Sequence, residues 1–212
     1  MLHKREQKSV DEFDKWAPTY GKGFWGPYFR AGYKAVLEVS GMYLNDRSTT
    51  LDIGCGNGVL EFLLSEKVTS GKIVGLDLSS QMISEAQKEK ELRGIDNVSF
   101  VVSKADDVAY PNESFDLIYC LNALHHFPHH NVFLTEINRL LKPNGKLILL
   151  DLILDNPIRY VWTNITKLIF EEGDVEFHTR KEIRHLVEEA SLFIEQQRLF
   201  WYFTTISVIG KK

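Results

Sequence analysis

The stretch Leu51-Asp52-Ile53-Gly54-Cys55-Gly56-Asn57-Gly58 decides the fold class of this sequence. A short apolar strand over 49–53 runs into three alternating glycines, and a helical pattern follows over 58–66. Glycines at a strand-to-helix turn let the backbone approach a ligand closely, and the start of a helix offers unpaired N–H groups. The stretch therefore predicts a ligand-binding turn in an α/β domain.

The next predicted strand, 72–78, ends in Leu76-Asp77-Leu78. An acidic residue at the end of the second strand can accept hydrogen bonds from both hydroxyls of a ribose. Gly58 and Asp77 are 19 positions apart, which suits one helix and one strand between them. Together the glycines and Asp77 predict a site for a cofactor that contains a nucleoside.

The spacing of the glycines bears on which cofactor is bound. A dinucleotide site favours G-x-G-x-x-G, with the pyrophosphate at the helix start, whereas this sequence has G-x-G-x-G preceded by Asp52. An anion at Asp52 would repel a pyrophosphate and would suit a cofactor that carries an ammonium and a sulfonium. A nicotinamide-dependent oxidoreductase on a related fold stays open as an alternative.

The rest of the chain continues the alternation of strands and helices. Thr179 and Glu182 fit a capping box that opens a late helix, and the last two strands are too close in sequence for a helix between them, which predicts an antiparallel pair. A mostly parallel, doubly wound sheet with helices on both faces follows. The further predicted strands are 98–102, 115–121, 146–152, 193–200 and 201–209, and the further predicted helices are 80–92 and 132–141.

Length and charge limit the classes of function. The chain has 212 residues, which fits a single domain with small additions, and its net charge of −4 argues against bulk attraction to nucleic acid. Cys55 and Cys120 are too few for a disulfide framework, and no apolar run approaches the length of a membrane helix. We therefore expect a cytoplasmic protein, as a monomer or homodimer, whose partner is a small molecule.

The sequence resembles class I S-adenosylmethionine-dependent methyltransferases, and it is similar to the branch that includes the ubiquinone and menaquinone biosynthesis enzymes. A weaker resemblance lies in F-D-K-W-A-P-T-Y (13–20). The matching motifs are L-D-I-G-C-G-N-G (51–58), V-G-L-D-L-S (74–79), P-N-E-S-F-D-L-I (111–118), A-L-H-H-F (123–127) and L-K-P-N-G-K-L-I-L-L-D (141–151).

The resemblance implies a Rossmann-like sheet of seven strands with an antiparallel last strand, and it implies which residues hold the cofactor. Gly54, Cys55 and Gly56 would lie along its methionine and ribose parts, and Asp52 would hold its amino group directly or through water. Asp77 would hold the ribose hydroxyls. Leu78 would pack on the adenine, Leu121 and Asn122 would lie near the transferred methyl group, and Tyr20 would close over the cofactor.

One position departs from the family pattern. Where the family often has Gly-Asp-Ala after the third strand, this sequence has Ser103-Lys104-Ala105, followed by Asp106. A lysine cannot accept a hydrogen bond from the adenine amino group. Ala105 and Asp106 are therefore the predicted adenine edge, and the departure keeps open a protein that binds the cofactor without catalysis.

The histidines at 125, 126, 129 and 130 are spaced four apart in two pairs, as metal ligands in a helix can be. Pro128 disfavours a helix just before it, and no acid or cysteine stands among them, so we predict no metal site. Tyr20, His125 and His126 are the candidate bases for an acceptor that must lose a proton.

We predict one methyltransferase domain over 1–212. Its parts are an N-terminal helical lid (1–45), a cofactor-binding core (48–152), a substrate-side insertion (156–178), and a C-terminal helix and hairpin (179–212). The predicted reaction transfers a methyl group from S-adenosylmethionine to a small acceptor, leaving S-adenosylhomocysteine. Aromatic residues in the lid and insertion favour an apolar or aromatic acceptor. A methyltransferase acting on RNA or protein is the further alternative.

Overall fold

A computed structural model describes residues 3–21, 25–106, 108–153, 155, 177–201 and 204–211. The chain forms a seven-stranded sheet in the order β3-β2-β1-β4-β5-β7-β6. The strands are β1 (Thr49–Ile53), β2 (Lys72–Asp77), β3 (Val98–Val102), β4 (Phe115–Leu121), β5 (Leu141–Leu152), β6 (Leu192–Leu199) and β7 (Thr204–Lys211).

The first five strands pair in parallel, and β7 runs antiparallel to both β5 and β6. The predicted fold class, a mostly parallel doubly wound sheet of seven strands with an antiparallel C-terminal strand, is therefore confirmed. The strand order reverses between β1 and β4, and a parallel sheet of this kind binds ligands at such a reversal, beyond the carboxyl ends of the strands.

Helices cover both faces of the sheet, which explains why β4 and the 147–150 part of β5 are almost wholly apolar. The helices are α1 (Lys4–Trp16), α2 (Gly26–Ser40), α3 (Val59–Ser65), α4 (Ser80–Arg93), α5 (His130–Leu140) and α6 (Arg180–Glu189). One buried cluster on one face includes Leu51, Phe133 and Ile137, and another on the opposite face includes Val36, Leu60 and Tyr119.

Local signals in the sequence set several of the helix ends. The Ser79 side chain accepts a hydrogen bond from the Met82 N–H at the start of α4, and Gly94 ends that helix with φ +64°. Thr179 and Glu182 form the predicted capping box at the start of α6.

Two details of the sequence prediction were wrong. The last two strands do not meet at 200–201, because Trp201 lies in the connection and β7 begins at Thr204. The strand predicted over 146–152 begins earlier, at Leu141, and its start is deformed where Asn144 has φ +68° and the register with β4 shifts. The N-terminal segment contains α1, α2 and a 3-10 turn (Ala17–Thr19), and α2 packs on the sheet through Val36 and Val39. The predicted insertion lies outside the described residues, apart from 177 and 178.

Candidate active site

The turn between β1 and α3 is built from glycines in the left-handed region. Gly54, Gly56 and Gly58 have φ values of +81°, +55° and +81°. The backbone N–H groups of Gly54 and Cys55 donate to the Leu76 carbonyl over 2.8 and 2.9 Å, which ties the turn to β2. A Cβ at Gly54 would lie 2.6 Å from the Ala123 Cβ, so a side chain there would collide with the loop after β4.

Asp77, at the end of β2, holds this turn from the other side. Its Oδ2 accepts a hydrogen bond from the Gly56 N–H over 2.9 Å, and its Oδ1 accepts one from the Ser79 N–H over 2.8 Å. Burial raises the pKa of Asp77 despite these hydrogen bonds. The carboxylate is thus fixed at the strand end, where the sequence places a ribose partner.

A cavity opens at this edge of the sheet, beyond the ends of β1, β2 and β4. Helix α1 forms one wall through Glu6, Ser9, Val10 and Phe13. Ten of the predicted site residues line it: Tyr20, Gly54, Gly56, Asp77, Leu78, Ala105, Asp106, Leu121, Asn122 and His126. The structure therefore brings together residues that are up to 106 positions apart in the sequence.

Asp52 and Cys55, also predicted to contact the cofactor, are buried behind the cavity wall. Asp52 has an unexpected neighbour, Glu61 of α3, which is fully buried. Gly75 of β2 pairs with Asp52 of the neighbouring strand. Because Gly75 has no side chain, it leaves room for Glu61: a Cβ at Gly75 would lie 2.9 Å from Glu61 Oε1. Asp52 Oδ1 and both Glu61 carboxyl oxygens have no hydrogen-bond partner among the described residues.

Burial raises the pKa of Asp52 to about 7, and burial together with the Asp52 charge raises the pKa of Glu61 well above its usual value. Two adjacent buried carboxyl groups ionise together only at high cost, so the pair keeps a proton at neutral pH. The sequence did not reveal Glu61, because a single acid inside an amphipathic helix carries no signal of its own.

The two adjacent candidate histidines point to different surroundings. His126 lines the cavity and packs edge-on against Phe13, with ring centroids 5.2 Å apart. His125 Nδ1 lies 2.5 Å from Oδ1 of the buried Asp151, at the end of β5, and its ring lies 5.7 Å from that of Phe177. Asp151 therefore fixes the orientation of the His125 ring and leaves Nε2 as the nitrogen able to take a proton.

Tyr20 covers the glycine turn. Its Cε1 would lie 3.3 Å from a Cβ at Gly56, and its ring packs against Phe29 at 5.3 Å. Burial raises the pKa of the Tyr20 hydroxyl, and the charges of Asp77 and Asp52 raise it further. The phenolate form is therefore strongly disfavoured, and Tyr20 suits hydrogen-bond donation better than proton abstraction.

An aromatic cluster lies next to Asn122, where β4 ends. The Tyr28 hydroxyl donates to Asn122 Oδ1 over 2.6 Å, and the backbone of Asn122 is held in the left-handed region with φ +52°. Asparagine tolerates this conformation better than most residues that carry a side chain, so it suits the sharp change of direction at the end of β4. The rings packed around Tyr28 are those of Trp25, Phe29, Phe200 and Trp201.

His130 and His178 form a buried pair, with His178 Nε2 3.2 Å from His130 Nδ1 and His130 Nε2 3.0 Å from the Leu124 carbonyl. This pair supports the loop that carries His125 and His126. Across the described part of the chain, no group of three or more histidine, cysteine or acidic residues is arranged to hold a metal ion. In the same part, no helix is long and apolar enough to cross a membrane.

A family of protein domains described as "Methyltransferase domain" matches residues 44–191. Among curated relatives, aklanonic acid methyltransferase DauC of Streptomyces is 38% identical over 53% of this chain and 50% of its own length. Demethylmenaquinone methyltransferase of Oceanobacillus iheyensis is 34% identical over 49% of this chain and 44% of its own length. The matched region thus spans about half the length of these relatives.

The crystal structure of the YcgJ protein from Bacillus subtilis superposes with a TM-score of 0.73. The two chains are 18% identical in this superposition, which covers 85% of this chain and 98% of the other. The similarity shows that the two chains share a fold.

Proposed function

The chain belongs to this family of methyltransferase domains, and from that premise we propose that it transfers a methyl group from S-adenosylmethionine to a small apolar or aromatic acceptor. The observation that carries the proposal is the convergence of the glycine turn, Asp77 and Asn122 on one cavity. Four further properties stay predictions: a cytoplasmic location, a small-molecule partner, a monomeric or homodimeric state, and no nucleic-acid partner.

The cavity residues fit S-adenosylmethionine. Glycines 54 and 56 line the cavity and carry no side chain, so backbone faces the cavity there. Asp77 would hold the ribose hydroxyls, and Leu78 offers an apolar face to adenine. Asp52 lies behind the wall, so it would act on the cofactor's amino group through its charge or through water.

When bound, S-adenosylmethionine supplies an electrophilic methyl group on a sulfonium. The protein's task is then mainly to position the acceptor in line with that methyl group and to exclude water. Leu121 and Asn122 would border the transferred methyl group, and the aromatic residues around Tyr28 would bind an apolar acceptor. The Tyr28–Asn122 hydrogen bond joins this aromatic cluster to the residue that follows β4.

Of the three candidate bases, His125 does not line the cavity, but its ring is held by a carboxylate, so an acceptor hydroxyl that reached Nε2 would lose its proton there. The Asp151 carboxylate holds its Nδ1 and would stabilise the imidazolium that forms. His126 would serve as part of the cavity wall, and Tyr20 as a cover over the glycine turn. The proton would go from the acceptor oxygen to His125 Nε2.

Two relatives favour this class of acceptor by name: one methylates aklanonic acid and one demethylmenaquinone. The test is transfer of a labelled methyl group from S-adenosylmethionine to a panel of small phenols, quinols and long-chain acids, with RNA and a mixed protein extract as comparison acceptors. Labelling of a phenol, quinol or acid supports the proposal. Labelling of RNA or protein alone would overturn the acceptor class.

A further inference from the structure

The lysine that departs from the family pattern makes a long-range ion pair. Lys104 Nζ lies 2.8 Å from Oε2 of Glu6, which is 98 positions away, near the start of α1. Glu6 is only 8% exposed and lines the cavity together with Ser103, Ala105 and Asp106. Helix α1 thus brings a carboxylate to the part of the cavity that the loop after β3 lines.

The Glu6 carboxylate is held through one of its two oxygens. The His3 N–H donates to Oε2 over 2.6 Å, and Lys104 donates to the same atom. Burial alone would raise the pKa of Glu6, but the hydrogen bonds from Lys104 and His3 bring it below its usual value. Glu6 is therefore ionised at neutral pH, and among the described residues its hydrogen bonds leave Oε1 as a further acceptor.

We propose that Glu6 recognises the adenine of the cofactor by accepting a hydrogen bond from its exocyclic amino group at Oε1, with Lys104 as the residue that positions Glu6. This inference rests on the proposed function, since it assumes that the cavity binds S-adenosylmethionine. An ionised carboxylate only accepts hydrogen bonds, so it suits an amino group and rejects a ring that presents a carbonyl oxygen there.

The rest of α1 is fixed across the cavity, which keeps Glu6 in place. Asp14 Oδ1 accepts a hydrogen bond from the Ser79 hydroxyl over 2.5 Å, two residues after Asp77. Phe13 packs against both Tyr20 and His126, with ring centroids 6.1 and 5.2 Å away. Helix α1 is thus held on the cavity at both ends, through Glu6 near its start and through Phe13 and Asp14 near its end.

The experiment is calorimetric titration with S-adenosylhomocysteine and with its analogue in which hydrogen replaces the adenine amino group. A hydrogen bond to a charged group predicts that the unmodified protein prefers S-adenosylhomocysteine by roughly 10- to 100-fold in Kd. Glu6→Ala should reduce this preference to about three-fold or less, while the Kd of the analogue stays near the unmodified value and reports an intact site. Lys104→Met should reduce the preference less.

Asp106→Asn is the matched comparison, because Asp106 also offers a carboxylate to this part of the cavity. If Glu6→Ala keeps the full preference for S-adenosylhomocysteine over the analogue, the inference is overturned. If only Asp106→Asn loses this preference, the adenine amino group is bound by the loop after β3. In either case the protein still binds S-adenosylhomocysteine and the proposed function stands. No binding of either ligand by the folded, unmodified protein would instead overturn the proposed function.

Discussion

At the scale of single residues, His125 and Asp151 show how the fold selects among similar candidates. The sequence offers adjacent histidines, and the structure places a buried carboxylate, that of Asp151, against His125. The sequence indicated that one of them could serve as a base. The choice between them depends on a contact between the loop after β4 and the end of β5, which no local pattern encodes.

Replacing Asp151 tests this role. In Asp151→Asn we expect kcat for an acceptor with a hydroxyl group to fall by about 10²-fold, since a positioned base contributes roughly 10²–10⁴-fold. The KM for S-adenosylmethionine should stay unchanged, because Asp151 does not line the cavity. His126→Gln is the comparison and should lower this kcat much less. A kcat in Asp151→Asn equal to that of the unmodified protein would contradict the assignment.

Gly54 gives a second prediction at this scale. An alanine there adds both left-handed strain and a Cβ 2.6 Å from that of Ala123. Gly94→Ala, where φ is +64° and nothing lies within 4 Å, adds the strain alone. We expect Gly94→Ala to lower the free energy of unfolding by about 1 kcal/mol without changing cofactor binding. Gly54→Ala should lower the free energy of unfolding further, as measured by urea unfolding, and should weaken binding of S-adenosylhomocysteine at least tenfold, as measured by calorimetry. Equal effects of the two substitutions would contradict a close approach of the backbone at Gly54.

At the scale of elements, most strands and helices follow from local signals. The glycine turn, the capping box and the alternation of apolar segments predicted seven strands and their helices within a few residues. The position of α1 is different, because a polar helix does not reveal in its sequence what it covers. Its place over the cavity depends on contacts such as Asp14–Ser79 and Glu6–Lys104, which join residues 65 and 98 positions apart.

Two helix caps separate the contribution of α1 from simple helix stability. Ser79 caps α4 and also donates to Asp14 of α1, whereas Thr179 caps α6 and does not line the cavity. Ser79→Ala and Thr179→Ala should each cost about 0.5–2 kcal/mol of stability. Only Ser79→Ala should also weaken binding of S-adenosylhomocysteine. The prediction does not require Ser79→Ala and Thr179→Ala to lose the same stability. Equal affinities of the two variants for S-adenosylhomocysteine would refute a binding role for α1.

At the scale of the whole molecule, the buried Asp52–Glu61 pair links stability to pH. Carboxyl groups in an unfolded chain have pKa values near 4, while burial raises the pKa of Asp52 to about 7 in the folded chain. The folded state therefore binds more protons than the unfolded state between these values, and the pair lowers the free energy of unfolding as pH rises from about 4 to 7.

Glu61→Gln removes one of the two ionisable groups and should make the melting temperature depend less on pH. We expect the melting temperature of Glu61→Gln to rise relative to that of the unmodified protein between pH 5 and pH 8. The expected rise is a few degrees, because each kcal/mol of stability shifts Tm by roughly 2–4 °C. Glu66→Gln, an exposed acid at the end of α3, is the control. Curves of melting temperature against pH that stay parallel for all three proteins would show that the pair does not hold a proton.

Cofactor binding is tested by calorimetric titration of the purified protein with S-adenosylmethionine and S-adenosylhomocysteine, beside Asp77→Ala and the control Asp96→Ala, whose side chain is exposed. We expect the unmodified protein to bind both ligands, Asp96→Ala to preserve this binding and Asp77→Ala to abolish it. Folded protein that binds neither ligand, or an Asp77→Ala variant that binds both as tightly as the unmodified chain, would contradict the site described here.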